Sequence, residues 1–169
     1  MRIGFIGTLV RHKGLHILIQ AIKLIPDRNL ELKIYGEEKD FPGYVHELKK
    51  LAGKDQRIKW MGRIENDRIP DALSQIDLLV VPSLWYENSP LTIHEAFLAK
   101  VPVLTSNLGG MAELVANGGG ITYEPGDALD LSKKISQVLS DPGTLKKLQQ
   151  TIPPVKTIDA NYQELLDIY

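Results

Sequence analysis

Two glutamates that lie eight positions apart, Glu87 and Glu95, could bind a polar ligand together. Ser89 is a favourable helix N-cap and Pro90 suits the first helical position, so a helix is predicted to begin between the two carboxylates. Glu95 then lies about five residues into this helix, roughly 8 Å along its axis. This separation resembles the distance from the diphosphate of a nucleotide to its ribose. A carboxylate can accept hydrogen bonds from the ribose hydroxyls. On spacing alone, an ordinary solvated helix position is the commoner explanation for Glu95.

A second candidate is the basic loop from Gly7 to Gly14, which leads into another predicted helix. Gly14 can act as the N-cap, and the free amides of the helix start would form an anion site beside Arg11 and Lys13. The loop is neither a dinucleotide-binding fingerprint nor a P-loop, because no G-x-G-x-x-G or G-K-[ST] pattern is present. A basic turn that solvates the helix start explains the loop equally well.

Strands and helices must position both loops. Short β-branched runs alternate with longer amphipathic stretches along the chain, and this pattern is typical of repeated βα units. Strands are predicted at Arg2–Gly7, Leu30–Tyr35, Arg57–Trp60, Asp77–Val81, Pro102–Leu104 and Gly120–Thr122. Helices are predicted at Leu15–Ile25, Tyr44–Ala52, Leu91–Ala99, Gly110–Ala116, Ala128–Leu139, Thr144–Gln150 and Ile158–Tyr169, with a helix or turn at Glu65–Leu73. The predicted fold is therefore α/β, a three-layer Rossmann-like doubly wound parallel sheet of about six strands. Ligands of such sheets bind beyond the carboxyl ends of the strands.

Composition limits the function further. The 169 residues are 43% hydrophobic and 24% charged, with a formal net charge of −1, as in one globular domain. The lack of cysteine excludes disulfides, thiolate nucleophiles and iron–sulfur clusters. The four histidines do not have the spacing of metal ligands, so we expect neither a metal nor another cofactor. The near-zero charge argues against a nucleic-acid partner, and without a visible signal peptide or membrane-length apolar run we expect a cytoplasmic protein.

Five segments of the sequence carry a family resemblance. The run from Glu87 to Glu95 resembles the E-x7-E motif of retaining glycosyltransferases with the GT-B fold, in particular those of family 4. The Gly7–Gly14 loop is similar to the G-x-L-x-x-x-K-G loop of that family. Trp60–Ile64, Ala99–Val103 and Asn107–Val115 match further family segments in the same order. The resemblance covers the carboxyl-terminal, donor-binding half of such enzymes, so residues 1–169 are expected to form a single donor domain whose amino-terminal acceptor domain is absent.

The resemblance implies roles for individual side chains. Glu95 should accept the ribose hydroxyls, and Glu87 should position the donor sugar near the reacting carbon without acting as a nucleophile. Lys13 should neutralise the diphosphate as it becomes the leaving group, where charge accumulates in the transition state. Thr8 occupies a position that is usually arginine in the family, and Arg11 is the candidate to replace that arginine.

The other implied donor contacts are mainly backbone contacts. The turn at Gly62, Arg63 and Ile64 should hold the base, and Gly36 should leave room for the nucleotide. Ser89–Thr92 should face the sugar and the diphosphate. The donor-binding set is thus Thr8, Arg11, Gly14, Gly36, Gly62, Arg63, Ile64, Ser89, Pro90, Leu91, Thr92 and Glu95, with Glu87 and Lys13 as the catalytic pair.

The expected activity is transfer of a hexose from a nucleotide sugar to an acceptor hydroxyl with retention of configuration, by a domain that is inactive when alone. The expected partners are the nucleotide-sugar donor and the amino-terminal domain, through which alone the protein would associate with a membrane surface. Three alternatives stay open: a GT-B sugar-nucleotide epimerase, a phosphorylase-like domain, and a module that binds a nucleotide or a partner protein without chemistry.

Overall fold

The computed structural model describes residues 1–27, 29–156, 162–163 and 166. Most of the predicted terminal helix, Ile158–Tyr169, lies outside the described residues.

Six parallel strands form one sheet, which confirms the predicted architecture. The strands are β1 (Arg2–Ile6), β2 (Glu31–Tyr35), β3 (Ile58–Gly62), β4 (Leu78–Val81), β5 (Val103–Ser106) and β6 (Gly120–Tyr123). Their order across the sheet is β3-β2-β1-β4-β5-β6. Chain order reverses between β1 and β4, and this reversal is where doubly wound sheets open a crevice for ligands.

Helices cover both faces of the sheet. They are α1 (Leu15–Leu24), α2 (Pro42–Ala52), α3 (Ile69–Leu73), α4 (Leu91–Leu98), α5 (Gly109–Ala116), α6 (Ala128–Ser140) and α7 (Pro142–Gln150), with 3-10 turns at Arg11–Lys13 and Asn66–Arg68. Buried residues of α1, α2 and α6 form one apolar cluster, and those of α3, α4 and α5 form another. Strand β4 separates the two clusters, because Leu78 and Val80 belong to the first and Leu79 to the second.

Two predicted elements gain detail in the structure. Strand β5 continues beyond Leu104, because Thr105 pairs with Val81 of β4 and Ser106 pairs with Tyr123 of β6. Their hydroxyls add two hydrogen bonds, from Thr105 to the carbonyl of Val81 at 3.0 Å and from Ser106 to Tyr123 Oη at 3.1 Å. The predicted helix or turn at Glu65–Leu73 divides into a 3-10 turn and α3, where Pro70 lies in the first turn of the helix and does not interrupt it.

The link from α4 to β5 contains a left-handed residue that is not glycine. Lys100 has φ 58°, and its N–H donates to the carbonyl of Phe97 while the N–H of Val101 donates to that of Ala96. This pair of bonds ends α4 with a motif in which glycine is the usual left-handed residue.

We expect Lys100→Gly to stabilise the protein by about 1 kcal/mol, because glycine removes the clash of Cβ in the left-handed conformation. Urea unfolding monitored by circular dichroism measures the change. Lys100→Ala is the control, since alanine keeps Cβ and should bring no gain. Equal stabilisation by both substitutions would show that the lysine side chain, and not the backbone conformation, is unfavourable.

Candidate functional site

A cleft of about 430 Å³ opens beyond the carboxyl ends of β1, β2 and β3, beside the start of α4. Its lining residues are Ile6, Gly7, Thr8, Tyr35, Gly36, Glu37, Asp40, Arg63, Ile64, Asn66, Ile69, Leu91, Thr92 and Glu95. A larger groove, of about 850 Å³, lies at the opposite end of β1 and β2, where sheets of this type do not bind their ligands. The cleft brings together seven of the predicted donor-binding residues: Thr8, Gly36, Arg63, Ile64, Leu91, Thr92 and Glu95.

The start of α4 differs from the sequence prediction. Helix α4 begins at Leu91, and Pro90 is its N-cap with φ −66° and ψ 116°. Ser89 was predicted to be the N-cap, but its Oγ lies 2.8 Å from Nε2 of His94 and makes no cap hydrogen bond. The hydroxyl of Ser89 is hydrogen-bonded to the imidazole and therefore does not reach the helix backbone. The N-cap is Pro90 and the first helical residue is Leu91, each one residue later than predicted.

The first amides of α4 consequently have no side-chain cap. The N–H of Ile93 donates to the carbonyl of Pro90 at 3.0 Å, whereas the N–H groups of Leu91 and Thr92 have no acceptor among the described residues. Both residues line the cleft. Free amides at a helix start, together with the helix dipole, favour binding of an anion.

Glu95 lies one turn further along the same helix and also lines the cleft. Its half-buried carboxyl has no hydrogen bond or ion pair within the described part of the chain, and burial raises its pKa. Partial desolvation without a compensating donor makes this carboxylate a strong acceptor for hydroxyl groups of a ligand.

Lys13 and Glu87 form a half-buried ion pair between the loops that follow β1 and β4. Lys13 Nζ lies 2.9 Å from Glu87 Oε2, and the side chains are 31% and 16% exposed. The second carboxylate oxygen of Glu87, Oε1, is buried without a hydrogen-bond partner among the described residues. Neither side chain lines the 430 Å³ cleft. The fold thus brings the two predicted catalytic side chains into direct contact, and one carboxylate oxygen of Glu87 has no donor within the described part of the chain.

Arg11 points elsewhere. Its guanidinium pairs with Glu47 of α2 and lies 5.3 Å from the ring centroid of Tyr44, also in α2. It does not line the cleft. Thr8 stands where the family usually has arginine, and the role of Arg11 as its replacement stays a prediction.

Two glycines of the predicted set are required by close packing of the backbone. Gly14 is the N-cap of α1, as predicted, with φ 70°, and a Cβ there would lie 1.8 Å from the carbonyl oxygen of Pro82. A Cβ on Gly36 would lie 2.4 Å from the carbonyl oxygen of Gly7. Gly36 therefore permits the β1 loop to pack on the end of β2, a reason distinct from the predicted room for a nucleotide.

The turn after β3 faces the start of α4 across the cleft. The N–H of Gly36 donates to the carbonyl of Gly62 at 2.9 Å, which ties this turn to the end of β2. Gly62 adopts φ 76°, and the next two residues, Arg63 and Ile64, line the cleft. Arg63 is exposed and pairs with Glu65 at 3.3 Å.

Seven cleft residues are outside the predicted set, and four of them have polar side chains: Tyr35, Glu37, Asp40 and Asn66. All four lie at or after the ends of β2 and β3, so the rule that ligands bind at carboxyl strand ends would have included them. The buried hydroxyl of Tyr35 has no partner among the described residues, and desolvation raises its pKa.

The described residues offer neither a cluster of metal ligands nor a membrane span. These residues contain no group of three or more histidine, cysteine, aspartate or glutamate side chains that could hold a metal ion. None of their helices is long and apolar enough to cross a bilayer.

Glu95→Gln is expected to stabilise the folded protein at neutral pH, by less than about 1 kcal/mol. Burial raises the pKa of Glu95 in the folded state, so the folded protein binds this proton more tightly than the unfolded chain does. The resulting gain in the free energy of unfolding is fully present below the unfolded pKa of about 4.3, and it is lost as pH rises through the folded pKa. Urea unfolding at pH 7 and pH 3.5 should show a gain only at pH 7. The control is Glu31→Gln at the amino end of β2, and a gain that persists at pH 3.5 would contradict the desolvation argument.

Comparison with known proteins identifies the family of the chain. Residues 2–153 match the family described as Glycosyl transferases group 1. A 2-deoxystreptamine glucosyltransferase of Streptomyces kanamyceticus is 30% identical over 146 residues, which are 83% of this chain and 36% of that protein. A glycogen synthase of Mycobacterium tuberculosis is 27% identical over 164 residues, 94% of this chain and 39% of that enzyme. The chain thus spans well under half the length of these two relatives.

Solved structures agree with the fold. Anabaena Alr3699/HepE, crystallised with UDP and glucose, superposes with a TM-score of 0.84 at 26% identity, covering 99% of this chain and 48% of that one. The carboxyl-terminal domain of the group 1 glycosyl transferase LpcC from Francisella tularensis gives a TM-score of 0.74 at 26% identity, covering 89% of this chain and 80% of that domain. By sequence and sheet topology, the chain belongs to the glycosyl transferases group 1 family and has the Rossmann-like fold of GT-B glycosyltransferases.

Proposed function

We propose that this chain is the donor-binding, carboxyl-terminal domain of a retaining family 4 glycosyltransferase, which transfers a hexose from a nucleotide sugar to an acceptor hydroxyl. One observation carries the proposal: the desolvated carboxylate of Glu95 and the open amides of Leu91 and Thr92 face the same cleft. A nucleotide diphosphate has complementary groups, because its ribose hydroxyls donate hydrogen bonds and its phosphates accept them.

The donor is proposed to lie along the cleft from the turn after β3, where the base binds, to the start of α4, where the phosphates bind. Its base contacts the turn at Gly62–Ile64, its ribose hydroxyls donate to Glu95, and its phosphates accept from the first amides of α4. Uracil is the base to test first, since HepE was crystallised with UDP. Ile64 and the backbone of the turn can hold one side of a pyrimidine ring without reading a particular base.

The ion pair of Lys13 and Glu87 supplies the proposed chemistry. As the bond between sugar and phosphate breaks, negative charge grows on the diphosphate, and an ammonium nearby stabilises it. Glu87 Oε2 accepts a hydrogen bond from Lys13 Nζ. The buried Oε1 has no hydrogen-bond partner among the described residues and would accept one from a sugar hydroxyl. Glu87 is therefore proposed to position the sugar electrostatically, and the enzyme forms no covalent intermediate on it.

Nucleotide titration tests the donor site. Isothermal calorimetry with UDP and uridine should show that Glu95→Gln weakens both ligands by about tenfold, because the ribose contact is common to both. Lys13→Met should weaken UDP by a similar factor and leave uridine unchanged, because only UDP carries the diphosphate. Glu31→Gln and Lys54→Met, at the amino ends of the strands, are the matched controls. The donor site is wrong if the wild type fails to bind UDP at millimolar concentration.

The acceptor site is proposed to lie on an additional domain. The chain spans 36% and 39% of the two relatives compared above, so the groups that bind an acceptor are assigned to the remainder of such a protein. The crystallised LpcC domain has a comparable extent.

The isolated chain should consequently bind a nucleotide sugar but transfer it slowly or not at all. Release of UDP from UDP-glucose, with and without added sugar acceptors, measures this directly. Addition of a separately produced amino-terminal domain should raise the rate, and a similar rate without that domain would contradict the proposed division of labour.

A further inference from the structure

We propose that His94 is a positioning residue that keeps the start of α4 open for the diphosphate of the donor, by holding the hydroxyl of Ser89 away from the first amides of the helix. This inference rests on the proposed donor site and assigns a role to a residue that has no contact with the cleft.

Ser89 has two competing partners. In the structure its Oγ lies 2.8 Å from His94 Nε2, and Pro90 is the N-cap with ψ 116°. Serine is itself among the preferred N-cap residues, in which position its hydroxyl accepts from the second or third amide of the helix. Here those amides would be the N–H groups of Leu91 and Thr92.

A backbone rotation at Pro90 separates the two arrangements. The φ of Pro90 is −66°, which already suits an α-helix, so the change at Pro90 itself would be in ψ, from 116° to about −40°, with compensating rotations in the residues that precede it. Pro90 would then become the first helical residue and Ser89 the N-cap, as the sequence alone predicts. The hydrogen bond to His94 favours the other arrangement, in which the amides of Leu91 and Thr92 have no acceptor in the described part of the chain.

The competition matters because both partners use the same two donors. A phosphate oxygen and Ser89 Oγ cannot both accept from the N–H groups of Leu91 and Thr92 in their best geometry. Binding of the donor to the Ser89-capped form would require the cap to break first, and the apparent affinity falls by the fraction of protein in the competent form. His94 thus acts on the donor through Ser89 and is not a donor contact itself.

A double-mutant cycle in the full chain tests the proposal. UDP and uridine are titrated into the wild type, His94→Ala, Ser89→Ala and the double variant. His94→Ala should weaken UDP by about fivefold, on the scale of one N-cap interaction, and leave uridine unchanged. In the Ser89→Ala background the same substitution should have almost no effect, because no hydroxyl is left to cap the helix. His94→Gln, whose side-chain amide can still bind Ser89, should behave as the wild type.

Amide hydrogen exchange of the ligand-free protein provides a readout that does not depend on donor binding. His94→Ala should slow exchange at Leu91 and Thr92, and this protection should vanish in the double variant. Equal loss of UDP affinity in both Ser89 backgrounds, or unchanged exchange in His94→Ala, would overturn the inference. If the wild type fails to bind UDP, the proposed donor site is wrong, whereas the exchange data still decide whether His94 withholds Ser89 from the helix.

Discussion

The contact between the loops that follow β1 and β4 is the constraint on which the site depends. Strands β1 and β4 are neighbours in the sheet, and the loops that follow them touch beside the crevice that the reversal of chain order opens. The carbonyl of His12 accepts from the N–H of Leu84 at 2.7 Å and from the hydroxyl of Ser83 at 3.2 Å. Gly14 makes this approach feasible, because any Cβ there would meet the carbonyl of Pro82.

This backbone contact also determines which side chains can meet. Lys13 comes from the first loop and Glu87 from the second, 74 positions later, yet their charged groups lie 2.9 Å apart. A half-buried ion pair gains little net stability once desolvation is counted, so this pair is weak evidence for a stabilising role. Among the described residues, Glu87 Oε1 has no hydrogen-bond partner and the half-buried Glu95 carboxyl has no compensating donor, so both groups are unfavourable for folding by themselves. Functional sites commonly keep such unfavourable groups.

Much of the fold could be predicted from the sequence because its signals are local and repeated. Alternating β-branched runs and amphipathic stretches indicated the six strands, and strand ends indicated where the cleft would lie. The errors come from contacts between residues that pattern rules treat separately. Strand β5 continues through Thr105 and Ser106 because Val81 of β4 and Tyr123 of β6 pair with them. Ser89 is not the N-cap because its hydroxyl is hydrogen-bonded to His94. The direction of Arg11 towards Glu47 depends on the packing of α2 and has no local signal.

The pairing of Lys13 with Glu87 has a consequence for how a donor reaches the cleft. The ammonium that would attract an anion from a distance is already neutralised, and the whole chain carries a formal charge of −1. In the proposed donor site, capture of a dianionic nucleotide sugar would then depend on two short-range features of the cleft, the amide dipoles at the start of α4 and the exposed guanidinium of Arg63. Long-range electrostatic steering should accordingly be weak, and the association rate of the proposed donor should depend little on ionic strength.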